Sequence, residues 1–195
     1  TGSSFYRDDI IFLLENFGGL IILDEAYIDF SQLDSLLPVL NDYRNLVILQ
    51  TLSKAWGMAG IRMGMAFASR QIISILSKIK FPYNINILSQ QFAIDRLERT
   101  EEKDKWISQI KTERDRLRMR LTGLSIVKEI LPSDANFLMV RFEDAKTVFK
   151  YLMEKNIIVR DRSRVPLCEG CLRITIGLKE ENDSLLKALE SFKIK

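Results

Sequence analysis

The sequence predicts an α/β layered protein followed by a smaller α+β unit, and three observations carry that expectation. Aliphatic runs at 20–23 and 46–49 stop abruptly at polar residues, as strands buried in a layered sheet do. Helical patterns alternate with such runs as far as residue 98. A heavily charged stretch from Glu98 to Leu121 then separates this part from a denser succession of short strands and helices. The expected organisation is therefore a first domain over 1–98, a connecting helix over 99–122 and a small C-terminal domain over 123–195.

Residues 8–17, DDIIFLLENF, bring apolar side chains to helical spacing behind an acidic first turn and should stop at Gly18-Gly19. The aliphatic run at 20–23 reads as a parallel strand covered on both faces, and it ends in Asp24-Glu25-Ala26-Tyr27. Residues 46–49 repeat the pattern before Gln50-Thr51-Leu52-Ser53-Lys54, and 63–68 form a third, short, small-residue strand. Helices follow at 70–80 and 86–98. In the charged stretch Trp106, Ile110, Leu117 and Leu121 recur at multiples of three and four, which predicts one long helix with a single buried stripe. Beyond Gly123 the pattern predicts strands at 125–130 and 136–142, a helix at 144–155, a strand at 156–160, a loop to 171, a strand at 172–176 and a last helix near 180–193.

Composition narrows the chemistry. With 195 residues, 47% of them hydrophobic, the chain can bury a real core. Twenty-nine Lys and Arg against 26 Asp and Glu leave a charge of +3, mixed along the chain, so no electrostatic footprint for nucleic acid stands out. The absence of His removes the usual neutral-pH base and the commonest metal ligand, excluding Ser-His-Asp and Cys-His hydrolases and most zinc enzymes. Acid–base work falls to Lys, Asp, Glu, Tyr or Cys. Cys168 and Cys171 lack the further ligands of a metal site and read as reduced, structural thiols. No run of apolar residues is long enough to span a membrane and no leader pattern opens the chain, so a cytoplasmic protein without membrane contact is expected. A first residue other than Met indicates a chain trimmed or cut from something longer.

The most informative segment is Thr51-Leu52-Ser53-Lys54-Ala55-Trp56-Gly57-Met58-Ala59-Gly60-Ile61-Arg62. It sets a lysine just past a buried strand, flanks it with hydroxyls and small residues, and adds an arginine eight positions on. In a largely apolar pocket beside another cation, a lysine amine is freed for nucleophilic attack and Schiff-base formation. Thr51, Ser53 and Arg62 offer hydrogen bonds and charge to a phosphate. The plainer reading of Lys54 is a solvated lysine in a glycine-rich loop. Asp24 tips the balance: at the carboxyl end of a strand, where open α/β sheets bind ligands, a carboxylate can keep a pyridine nitrogen protonated. Tyr27, three residues on, can reach a ring hydroxyl. Without the Lys54 segment, Asp24 would read simply as a turn cap.

With these segments in view, the chain resembles the fold-type I pyridoxal-phosphate-dependent aminotransferases, and within them is most similar to the histidinol-phosphate aminotransferases. L-D-E-A-Y-I-D-F at 23–30, Y-R-N-L-V-I-L-Q-T-L-S-K-A-W-G-M-A-G-I-R-M-G at 43–64 and K-F-P-Y-N-I-N at 80–86 carry the resemblance. It continues through A-N-F-L at 135–138, I-I-V-R-D-R at 157–162 and C-L-R-I-T-I-G at 171–177. The resemblance implies the C-terminal part of the large α/β domain, over 1–98, plus the smaller C-terminal α+β domain. It implies that pyridoxal 5′-phosphate is held by Lys54, with Asp24 at the ring nitrogen, Tyr27 at the ring hydroxyl, and Thr51, Ser53 and Arg62 at the phosphate. Lys54, Asp24 and Tyr27 would be the catalytic residues, and Arg173 would receive the substrate's anionic end. Arg160 reads equally as a second anion contact and as part of a solvated loop. The implied substrates are histidinol phosphate and glutamate or 2-oxoglutarate, and the implied assembly is a homodimer.

The chain opens inside what resembles the family's Asn-Pro-Thr-Gly segment, and the part of the cofactor cage that the family builds upstream is not in it. Alone, it is expected to bind the cofactor weakly and not to turn over. Alternatives are an aminotransferase for aromatic or other amino acids, a phosphothreonine decarboxylase-like enzyme, or a catalytically silent α/β binding module.

Overall fold

Asp8 and Asp9 occupy the first turn of helix α1, Arg7–Asn16, which buries Ile10 and Leu14. The computed structural model describes residues 2–192, and the chain divides into two units. One is Ser4–Trp106; the other takes in Ile107 onward together with the residues preceding Ser4.

In the Ser4–Trp106 unit, α1 ends at Asn16 with Phe17 extended, and neither Gly18 nor Gly19 has positive φ. The expected glycine stop gives way to a distant cap: the Asn45 amide donates to the carbonyls of Leu14 at 3.1 Å, Phe17 at 3.3 Å and Gly19 at 3.4 Å. Strand β1, Ile21–Asp24, runs parallel to β2, Leu46–Thr51, with Ile21 opposite Leu46 and Asp24 opposite Leu49. Strand β3, Gly64–Ala68, pairs antiparallel on the other side of β2. Ile21 and Leu23 pack with Ile10, Leu14, Leu46 and Ile48. Ile22 points the other way by the two-residue repeat and is 63% exposed, so β1 is covered on one face and not, as expected, on both. Helices α2, Arg70–Ile79, and α3, Ile87–Leu97, follow, the latter capped by the Asn86 carboxamide accepting from the Ser89 amide at 2.9 Å.

The long helix appears as α4, Thr100–Thr122. Trp106 lies on its half-exposed side, with the Arg96 guanidinium over its ring. The buried stripe runs instead through Ile107, Arg114, Leu117 and Leu121, with Ile110 partly buried. A buried arginine was not expected there; it is satisfied by donating to the Ala135 carbonyl at 2.9 Å.

In the second unit, β4 (Val127–Ile130), β5 (Phe137–Phe142), β6 (Arg160–Asp161) and β7 (Cys171–Thr175) form an antiparallel sheet in the order β4-β5-β7-β6. Leu138 lies opposite Ile174 and Val140 opposite Leu172. These four pack against Leu117 and Leu121 of α4, Val148 and Leu152 of α5 (Ala145–Glu154) and Leu185 and Leu189 of α6 (Lys179–Glu190) in one apolar cluster. The strand expected at 156–160 shrinks to Arg160–Asp161, because Asn156 takes a left-handed φ of 59° and prolongs the turn after α5. Cys168 and Cys171 are free and buried, and burial pushes the Cys171 thiol above its ordinary pKa, away from the reactive thiolate.

Candidate active site

The carboxyl ends of β1 and β2 lie side by side, and the expected cofactor residues are attached to them. Asp24 is the last residue of β1; its Oδ1 accepts from the Ala26 amide at 2.9 Å, folding the chain into a tight turn that delivers Tyr27. The turn continues as a single 3-10 turn, Ile28–Phe30, pinned by Phe30, which is completely buried.

The end of β2 is organised by the Thr51 hydroxyl. It donates to the Met63 carbonyl at 3.3 Å and accepts from the Ser53 amide at 3.1 Å, so it already holds the loop that carries Lys54. Behind Lys54 the Gly57 amide donates to the Lys54 carbonyl at 3.0 Å. Gly57 has a φ of +66°, a conformation that favours glycine over any residue with a Cβ. The Lys54 ammonium stands 5.2 Å from the centre of the Tyr27 ring, within cation–π range. Thus two segments nearly thirty residues apart in sequence meet at adjacent strand ends. Lys54 itself is exposed among the described residues, not enclosed in the apolar pocket its sequence context suggested. Arg62, also exposed, has a left-handed φ of 56° and donates to the Ala59 carbonyl at 3.0 Å.

The two arginines expected to receive substrate lie in the other unit. Arg173 of β7 is the direct cross-strand partner of Arg160 of β6, so both fall on one face of the sheet, opposite to the face that bears Leu172 and Ile174. Arg173 is half-buried with its guanidinium 5.1 Å from the centre of the Phe137 ring; Arg160 is exposed.

Two polar residues of this region escaped the sequence reading. Glu25 is 6% exposed, and its carboxylate accepts from the Ser35 hydroxyl at 2.6 Å, the Leu36 amide at 2.9 Å and the Gln50 side chain at 2.9 Å. The only sequence signal was a second acid directly after Asp24, and a glutamine directly after the second aliphatic run.

The family model for aminotransferase class I and II matches residues 1–189, and the chain belongs to that family. The histidinol-phosphate aminotransferase of Flavobacterium psychrophilum is 50% identical over 191 residues, 98% of this chain and 55% of that protein. The crystal structure of the histidinol-phosphate aminotransferase from Clostridium acetobutylicum superposes with a TM-score of 0.91 at 26% identity, over 97% of this chain and 60% of that one. The histidinol-phosphate aminotransferase from Sinorhizobium meliloti, solved in complex with pyridoxal-5′-phosphate, gives a TM-score of 0.86 at 26% identity, over 97% of this chain and 53% of that one. The chain spans about half the length of the curated relatives it matches. Among the described residues no helix is long and apolar enough to cross a membrane.

Proposed function

We propose that the full-length protein carrying this chain is a histidinol-phosphate aminotransferase dependent on pyridoxal 5′-phosphate. It would exchange amino and keto groups between L-histidinol phosphate and 2-oxoglutarate, giving imidazole acetol phosphate and L-glutamate. The observation that supports this most is the meeting of Lys54 with Tyr27 beside Asp24, at the carboxyl ends of adjacent parallel strands.

The donor set fits the cofactor: a primary amine for its aldehyde, a carboxylate for its ring nitrogen, a phenol for its ring oxygen, and two hydroxyls with a guanidinium for its phosphate. When bound, the cofactor supplies the electron sink that stabilises negative charge at the substrate's amino-bearing carbon. Lys54 would hold it through Nζ, and the same amine would carry the proton to and from the substrate carbon. Asp24 would keep the ring-nitrogen proton in place, and Tyr27 would donate to the ring oxygen. Thr51, Ser53 and Arg62 hold the phosphate, which requires Arg62 to turn from the Ala59 carbonyl.

Arg173 and Arg160 receive the substrate's anionic end. Like charges directly opposite on paired strands disfavour each other, and a phosphate or carboxylate bound to both relieves that repulsion. One receptor thereby serves both the phosphate ester of histidinol phosphate and the carboxylate that glutamate carries on its amino-bearing carbon. The protein works as a cytoplasmic homodimer in this reading, without nucleic acid or membrane partners.

The test is reconstitution of the full-length protein with pyridoxal 5′-phosphate. The lysine–cofactor chromophore forms, borohydride fixes the label on Lys54, and Lys54→Ala abolishes both. Glutamate and histidinol phosphate each convert the bound cofactor to its amino form. A label on another residue removes Lys54 from its role; failure of both donors to transfer nitrogen removes the aminotransferase reading.

A further inference from the structure

Glu25 takes no part in the reaction proposed above, yet among the described residues it and Arg114 are the buried charged side chains. Withdrawing a carboxylate from water is unfavourable unless its oxygens are well bonded. Here both are: Oε1 accepts from the Leu36 amide, and Oε2 from the Ser35 hydroxyl and the Gln50 carboxamide. An apolar side chain of the same size would fill this space without that desolvation. The contribution of the carboxylate therefore lies in what it joins.

It joins the two segments that carry the cofactor residues. The paired register of β1 and β2 ends at Asp24 opposite Leu49, with the Glu25 amide donating to the Leu49 carbonyl at 2.8 Å. One residue further along β2 stands Gln50, followed by Thr51, whose hydroxyl holds the loop leading to Lys54. The Glu25–Gln50 bond thus continues the connection between the strands where the main chains begin to diverge. Ser35 and Leu36 brace the carboxylate from the far side of the turn.

We infer that Glu25 is a positioning residue: through Gln50 it clamps the turn bearing Asp24 and Tyr27 to the strand end bearing Lys54, and so sets where the ring-nitrogen carboxylate stands relative to the amine. The inference rests on the aminotransferase reading, and its test keeps the two apart.

The experiment uses the full-length protein with Glu25→Ala, Glu25→Gln and Gln50→Leu, reconstituted with pyridoxal 5′-phosphate. Cofactor affinity and the visible circular dichroism per bound cofactor, which reports how the ring is held, are measured beside far-ultraviolet dichroism and thermal midpoints. Glu25→Ala and Gln50→Leu are expected to weaken cofactor binding about tenfold, the equivalent of one well-placed hydrogen bond, and to diminish the visible dichroism. Glu25→Gln retains both signals, since its amide oxygen accepts from Leu36 while its NH2 donates to a rotated Gln50 and to Ser35. Gln50→Leu leaves the other two bonds of Glu25 in place and decides the matter if Glu25→Ala does not fold. A folded Gln50→Leu protein with unchanged affinity and dichroism overturns the clamp, as does a Glu25→Gln protein as impaired as Glu25→Ala. If the unsubstituted protein forms no lysine–cofactor chromophore, the aminotransferase reading itself has failed.

Discussion

Among the described residues the unit that begins at Ile107 gathers most of its buried apolar residues into one large core around β5 and β7, leaving Met119, Ile158, Leu167 and Leu178 exposed, whereas Ser4–Trp106 has smaller clusters and leaves Phe12, Ile22, Ile79, Phe81, Ile87 and Leu88 exposed. Exposed apolar groups on that scale are the raw material of interaction surfaces. The comparison teaches where positional control comes from. Arg160 and Arg173 sit on a sheet braced by three helices through one shared apolar cluster. The expected cofactor residues sit at strand ends and on the turns that follow them, which are ordered by a few side-chain hydrogen bonds: those of Asn45 at the end of α1, Thr51 at the end of β2 and Glu25 between β1 and β2.

Three measurements on the chain sharpen or break this contrast. The largest effect is expected for Leu138→Ala, at a fully buried position of β5, which should cost about 3 kcal/mol in urea unfolding through lost contacts and a cavity. A loss under about 1 kcal/mol would mean that this core tolerates voids and is not what orders the second unit.

A smaller effect attaches to the ion-pair network joining α4 to α6. Arg116 bonds both Glu113 and Asp183 at 2.7 Å, and Lys179 bonds Asp183 at 2.7 Å. The Arg116 guanidinium holds the Glu113 carboxyl below its ordinary pKa, and Lys179 followed by Arg116 does the same for Asp183. Because both folded-state values are depressed, the stabilisation is complete above the ordinary carboxylate range near pH 4 and fades as pH falls through the lower folded values. Urea midpoints should therefore drop from pH 5 to pH 2.5, and Glu113→Gln should lower the midpoint at pH 7 while flattening that slope. An unchanged slope in the variant would take Glu113 out of the network.

The smallest effect is expected at Ile79→Ser on α2. Ile79 is 73% exposed, and the change should alter stability by less than about 0.5 kcal/mol. A larger loss would show that the open face of the first unit is packed in solution.

Much of this was legible in the linear sequence. Strands and helices announced themselves through local periodicity, and the expected cofactor residues lie in two short segments at predicted strand ends, so their convergence followed from the layered fold alone. The misreadings share a cause. The cap on α1 comes from Asn45, the partner of buried Arg114 is the Ala135 carbonyl, and the Glu25 carboxylate is matched by Gln50. Each pairs residues more than twenty positions apart, and no local pattern encodes such a bond. The exposure of Ile22 and Lys54 escaped for a related reason: an aliphatic strand and a small-residue loop describe what a segment is suited to be buried against, not what covers it.

By itself the amino-acid order determined the alternation of elements, the family and the side chains available for chemistry, because these depend on neighbours within a few turns of chain. Only the folded molecule decided the antiparallel run of β3, the shortening of β6, the facing of Arg160 with Arg173, and the burial of Glu25 between two site loops. Those are settled by which distant groups compete for the same hydrogen bonds and the same dry space, a contest that begins once the strands have come together.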